Sequence, residues 1–132
     1  MGKGLLLSAA LILGSGYEWI GQEAAPAVTP PGTKNPAKPT PEVMAKAKKV
    51  YGYECEMCHG ATGDGKTDLA KDMKMTLTDL SDPKTLTGKT DAELFDLIKN
   101  GKGQMAAEGN RMKTDDIWAV VLYIRAMAKA AA

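Results

Sequence analysis

Cys55-Glu56-Met57-Cys58-His59 is the stretch on which the reading of this chain turns. It holds both cysteines and the lone histidine of a 132-residue sequence. A structural zinc site needs four ligands drawn mainly from Cys and His, and this chain offers three. A redox-active Cys-x-x-Cys pair belongs in a βαβ context, and no period-two strand pattern occurs anywhere. A disulfide between residues this close would leave the adjacent histidine without purpose.

The spacing fits covalent haem attachment. Two thiols one helical turn apart reach two vinyl groups on neighbouring pyrroles and form thioethers. The next residue then sets an imidazole under the iron. Cys55 and Cys58 are therefore the expected thioether residues and His59 the expected fifth ligand, on one haem c. With no second histidine, the sixth position falls to methionine, to lysine, to another group, or stays open. Thioether sulfur favours ferrous iron and raises the reduction potential. Of eight methionines, Met105 is favoured. It closes Asn100-Gly101-Lys102-Gly103-Gln104-Met105, where glycines permit close backbone approach. Met112, seven residues on, is the alternative. Met73 and Met75 lie in an irregular region, while Met44, Met57 and Met127 have the helical setting of core filler.

Outward from the motif, the pattern is helical. Thr40 is a candidate N-cap, with Pro41 at N1 and Glu42 in the first turn. Val43, Ala47, Val50 and Tyr51 share a face. Thr90-Asp91-Ala92-Glu93 is a capping box ahead of Leu94, Phe95, Leu97 and Ile98, and Asn100-Gly101 ends that helix. Thr114 opens a third helix, with Asp115 and Asp116 suited to its dipole. Ile117, Val120, Val121 and Ile124 supply its buried face, flanked by Trp118 and Tyr123. Residues 60–89 read as loops with one short helix at most. The fold class is all-α.

Composition agrees. Only 5% of residues are aromatic, with a single Phe, so a buried apolar cofactor would fill a core poor in rings. Seventeen basic against sixteen acidic residues give a net charge of +1. No basic stripe interleaved with aromatics appears, which argues against nucleic acid. Two haem propionates would bring the balance to zero or slightly below, so long-range steering is weak and local patches matter more.

Residues 1–20 read as a signal peptide or membrane anchor. Lys3 precedes the apolar run Leu5–Leu13, small residues follow at Gly14-Ser15-Gly16, and Tyr17 and Trp19 suit an interface. The strict run is shorter than the ~20 residues of a spanning helix. Residues 21–40 read as a Pro-rich linker: six of seven prolines lie between Pro26 and Pro41. In polyproline II, at ~3.1 Å per residue, sixteen residues reach about 50 Å. Residues 41–128 form the folded domain. These features place the protein in the periplasm or another extracytoplasmic space.

The chain resembles the class I monohaem c-type cytochromes over roughly residues 40–128. The likeness rests on Cys55-Glu56-Met57-Cys58-His59-Gly60, on Gly101-Lys102-Gly103-Gln104-Met105 and on the closing helix Asp116–Ile124. The resemblance implies a small fold whose first and last helices cross, with Tyr51 near Tyr123 and Ala47 at the crossing, where glycine is more usual. Ala106 stands where the family usually has proline. The resemblance also implies Trp118 near a haem edge or propionate, against plain core packing. Ala61-Thr62-Gly63-Asp64-Gly65-Lys66 would line the haem crevice, against a turn without function.

The expected role is a single-electron carrier, not an enzyme. It would deliver electrons to or within a membrane redox complex such as a photosynthetic reaction centre or a terminal oxidase. Lys66, Lys99, Lys102 and Lys113 would form a docking rim. The rival reading is an open-site gas sensor or peroxidase-like domain, although no distal histidine is available as a general base. A fixed subunit of a larger membrane complex is a third.

Overall fold

Three helices set the frame, and the first two start behind threonine caps. The computed structural model describes residues 28–130. The expectations for residues 1–20 and for the first part of the linker lie outside the described residues. Helix α1 spans Pro41–Glu54: the Thr40 side chain accepts from the Val43 amide at 3.3 Å, and Pro41 fills the first turn. α2 is the single turn Glu56–His59. α3 (Asp68–Asp72) and α4 (Pro83–Leu86) are short. α5 spans Asp91–Asn100 behind a complete capping box, in which Glu93 accepts from the Thr90 amide at 2.6 Å. α6 runs Thr114–Ala130. Among the described residues there is no strand, only an isolated bridge between Lys102 and Met105.

α1 crosses α6, and this contact is the centre of the fold. Ala47 is fully buried at the crossing, and the Tyr51 ring lies 5.3 Å from that of Tyr123. A methyl group is small enough to let two helix backbones come together. Ile117, Val120 and Val121 of α6 have at most 1% exposure. Each such aliphatic side chain contributes roughly 1.5–3 kcal/mol by leaving water. α5 adds Leu94, Phe95 and Ile98, whereas Leu97 is only half-buried. Arg125 ties α6 back to its neighbours, donating from Nε to Asp91 at 2.9 Å and from Nη1 to the Leu86 carbonyl at 3.2 Å.

Two features differ from the sequence expectation, and Trp118 shows the core packing that stood as one of its two readings. The region 60–89 holds two short helices rather than one at most. Each has its own N-cap: Thr67 accepts from Ala70 at 3.1 Å, and Asp82 accepts from Lys84 at 2.8 Å ahead of Pro83. Trp118 is buried and stacked on Phe95, with centroids 4.1 Å apart and planes 20° from parallel. Residues 28–40 do not run free. Thr29 donates from its amide and its hydroxyl to the Asp96 carboxylate at 2.8 and 2.6 Å, Asn35 donates to the Trp118 carbonyl at 3.0 Å, and Ala37 packs against the core. Within the segment the Thr33 amide donates to the Pro30 carbonyl at 3.1 Å and the Thr40 amide to the Lys38 carbonyl at 2.8 Å, and other polar groups are satisfied on the surface of α5 and α6.

Candidate haem site

The site begins where α1 stops. Cys55 breaks the helix with φ −122°, and α2 restarts at once, so the His59 and Cys58 amides both donate to the Cys55 carbonyl, at 2.9 and 3.2 Å. This tight turn brings both thiols and the imidazole to one side. Three long-range bonds then fix its backbone. Thr67 Oγ1 donates to the Cys58 carbonyl at 3.1 Å, Gly65 N to the His59 carbonyl at 2.8 Å, and Tyr51 Oη to the Gly60 carbonyl at 2.8 Å.

Cys55, Cys58, His59 and Met105 line one cleft, with a volume of about 250 Å³. Met75, Leu77 and Ala106 supply apolar wall, and Glu54, Glu108 and Arg111 sit on one side. A second cleft of about 340 Å³ lies under the 28–40 strap, between Pro36, Ala37, Lys46 and Trp118; no cysteine, histidine or methionine lines it.

Met105 reaches the cleft from the loop after α5. Gly101 ends that helix at φ +69°, and a Cβ there would stand 2.5 Å from the Met105 carbonyl oxygen and 2.7 Å from the Ala107 amide. Only glycine allows this fold-back. Lys102 and Met105 exchange backbone hydrogen bonds at 3.1 and 3.0 Å, while the Glu108 and Gly109 amides donate to the last carbonyls of α5, those of Ile98 and Lys99. These bonds use carbonyls that a helix end leaves open. They also brace the loop where Ala106 replaces the more usual proline.

The chemistry of the lining suits a haem. Burial holds the His59 imidazole below the usual histidine range, so it is neutral at physiological pH and able to donate a lone pair. Its Nδ1 is buried with no hydrogen-bond partner among the described residues. Cys55 and Cys58 are free thiols. Burial first, then the Glu108 and Glu54 carboxylates, push the Cys55 thiol up to about 12, with Arg111 pulling the other way. Two thiols, a neutral imidazole and a facing thioether in an apolar cleft match the donor set of a covalent haem.

The remaining expectations divide. Met112 is buried in the hydrophobic cluster and is absent from the cleft wall. Met75 does line the cleft, which the irregular sequence around it gave no reason to expect. None of residues 61–66 lines the cleft; Gly63 instead backs onto Leu80 and Met127, and Leu77 takes up the wall position. Lys66, Lys102 and Lys113 are exposed, and the Lys99 ammonium lies 5.8 Å from the Phe95 ring centre. Glu108 and Arg111 were not legible as site residues, because loop positions carry no periodicity. Their spacing after Met105 was the only signal.

Comparison with known proteins places the chain in a family of c-type cytochromes. A family model described as cytochrome C oxidase, cbb3-type, subunit III matches residues 42–124. Cytochrome c6 of Leptolyngbya boryana is 35% identical over 81 residues, covering 61% of this chain and 87% of the relative. Cytochrome c6 of Cladophora glomerata is 36% identical over 84 residues, covering 63% and 87%. The solved structure of cytochrome c6 from the diatom Phaeodactylum tricornutum superposes with a TM-score of 0.55 at 22% identity, over 67% of this chain and 98% of that one.

Proposed function

From the premise that this chain belongs to the class I c-type cytochromes and carries a covalent haem c in electron transfer, we propose that it is a single-electron carrier with His59 and Met105 as axial ligands. Cys55 and Cys58 hold the haem through thioethers. The observation that carries this reading is the common cleft: one wall brings both thiols and the imidazole, and the Gly101–Met105 loop brings a thioether to the same space. The haem supplies the reversible one-electron couple. The protein's own part is to orient the imidazole through the pinned 58–60 backbone, to keep it unprotonated by burial, and to exclude water with Met75, Leu77 and Ala106. No side chain has to accept or donate a proton.

The partner is a membrane redox complex, such as a reaction centre or a terminal oxidase, met in a small transient contact. The protein works outside the cytoplasm, with residues 1–20 as export signal or anchor and residues 41–128 as the haem domain. Among the described residues no helix is long and apolar enough to cross a membrane.

Potentiometric titration of the purified holoprotein, with hydrogen peroxide turnover measured alongside, tests the carrier reading. A reversible one-electron curve with no peroxidase turnover is the expected result. Sustained peroxide consumption would make the protein an enzyme instead.

A further inference from the structure

A carrier of single electrons has no catalytic use for charge, yet the cleft is lined by a charged cluster with one buried member. Glu108 is 6% exposed and lines the cleft with the two cysteines. Its backbone is locked on both sides: its amide donates to Ile98, and its carbonyl accepts from Arg111 and Met112 at 2.9 and 2.8 Å. The carboxylate has no such partner. Oε2 is buried and makes no hydrogen bond among the described residues. The Arg111 guanidinium is near, with Nε at 3.4 Å, within ion-pair range but not aligned as a hydrogen bond. Arg111 also pairs with Glu54 at the end of α1. One cation thus serves two carboxylates among the residues that line the cleft.

Burying a carboxylate oxygen with no hydrogen bond and only an exposed ion-pair partner is costly, and a chain that keeps one beside a redox site gains something other than stability from it. Ferric haem carries one more positive charge than ferrous haem. A fixed anion at its side favours the ferric form and lowers the reduction potential, and a fixed cation does the reverse. In a low-dielectric cleft this interaction is little screened, whereas solvated rim lysines are damped by water and salt.

We propose that Glu108 is a potential-setting residue, a buried carboxylate that holds the haem's reduction potential down, with Arg111 offsetting part of its charge. The proposal rests on the reading that haem occupies this cleft. The same field is felt at Cys55, where Glu108 is the strongest of the charged neighbours and Arg111 opposes it.

The test is potentiometric titration of holoprotein at neutral pH for the unsubstituted protein, Glu108→Gln, Arg111→Gln and the double variant, with visible spectra recorded throughout. Glu108→Gln should shift the midpoint upward and Arg111→Gln downward, with the double variant between them. Opposite signs are what charge predicts. Loosening of the loop would move both variants in one direction and alter the spectrum. Shifts of the same sign, or no shift in either, would overturn the proposal. An unmoved potential with a closed sixth site sinks this inference alone, while carbon monoxide binding to the unsubstituted protein sinks the carrier reading and leaves the sign test standing.

Discussion

The Tyr51 hydroxyl donates a 2.8 Å hydrogen bond to the carbonyl of Gly60, the residue after His59. It couples the α1–α6 crossing, where the Tyr51 ring is 1% exposed beside Tyr123, to the backbone that sets the imidazole. Tyr51→Phe removes this donor and leaves the Gly63 amide, at 3.0 Å, as the remaining partner of the Gly60 carbonyl. It should cost about 1 kcal/mol in guanidinium unfolding of the holoprotein.

The same residue predicts an alkaline effect. Burial pushes the Tyr51 phenol above the ordinary tyrosine range. The folded state therefore keeps this proton at a pH where the unfolded chain, titrating near about 10, has lost it. Stability from this group is complete below that pH and is lost as pH rises beyond it. Unfolding curves measured across the alkaline range should show a fall that is shallower in Tyr51→Phe. Equal slopes in the two proteins would assign the fall to other groups.

Ala47 is fully buried at the helix crossing. Ala47→Leu forces the helices apart and should destabilise by about 1–3 kcal/mol, as overpacked cores do. A midpoint of thermal unfolding equal to that of the parent would show that the crossing has slack.

Much of this was legible beforehand, for a local reason. Thr40 and Thr90 announce helix starts through their own chemistry, and the apolar faces of α1, α5 and α6 repeat at helical spacing. The haem motif is contiguous, so its residues come together without knowledge of the fold. What escaped depends on distant partners. Thr29 meets Asp96 across 67 positions, so a Pro-rich stretch that reads as free is in fact docked. Phe95 on α5 meets Trp118 on α6 in the same way, a pairing that neither helix announces on its own. Glu108 and Arg111 lie in a loop, where only the three-dimensional path decides which side chains turn inward.

Docking of the strap has a measurable consequence. Asp96→Ala removes both acceptors of Thr29 and should cost about 1 kcal/mol. Limited proteolysis should then cut the 28–37 stretch sooner than in the parent protein. Unchanged cutting would mean that the Thr29–Asp96 contact does not hold the strap in solution.

Gly101 holds the loop that carries Met105, at a φ of +69° and with backbone atoms where a Cβ would go. Gly101→Ala should cost about 2 kcal/mol through backbone strain. It should also weaken the sixth ligand, seen as partial carbon monoxide binding to the reduced variant. A closed site in that variant would mean that the loop tolerates another path.

The central claim is tested most directly by carbon monoxide titration of the reduced holoprotein, with the oxidised spectrum taken alongside, in the parent and in Met105→Ala. The account predicts no carbon monoxide binding and an iron–methionine charge-transfer band in the parent, and an open site without that band in Met105→Ala. Ready binding by the parent would contradict it, as would a Met105→Ala variant that stays closed while Met75→Ala or Met112→Ala opens.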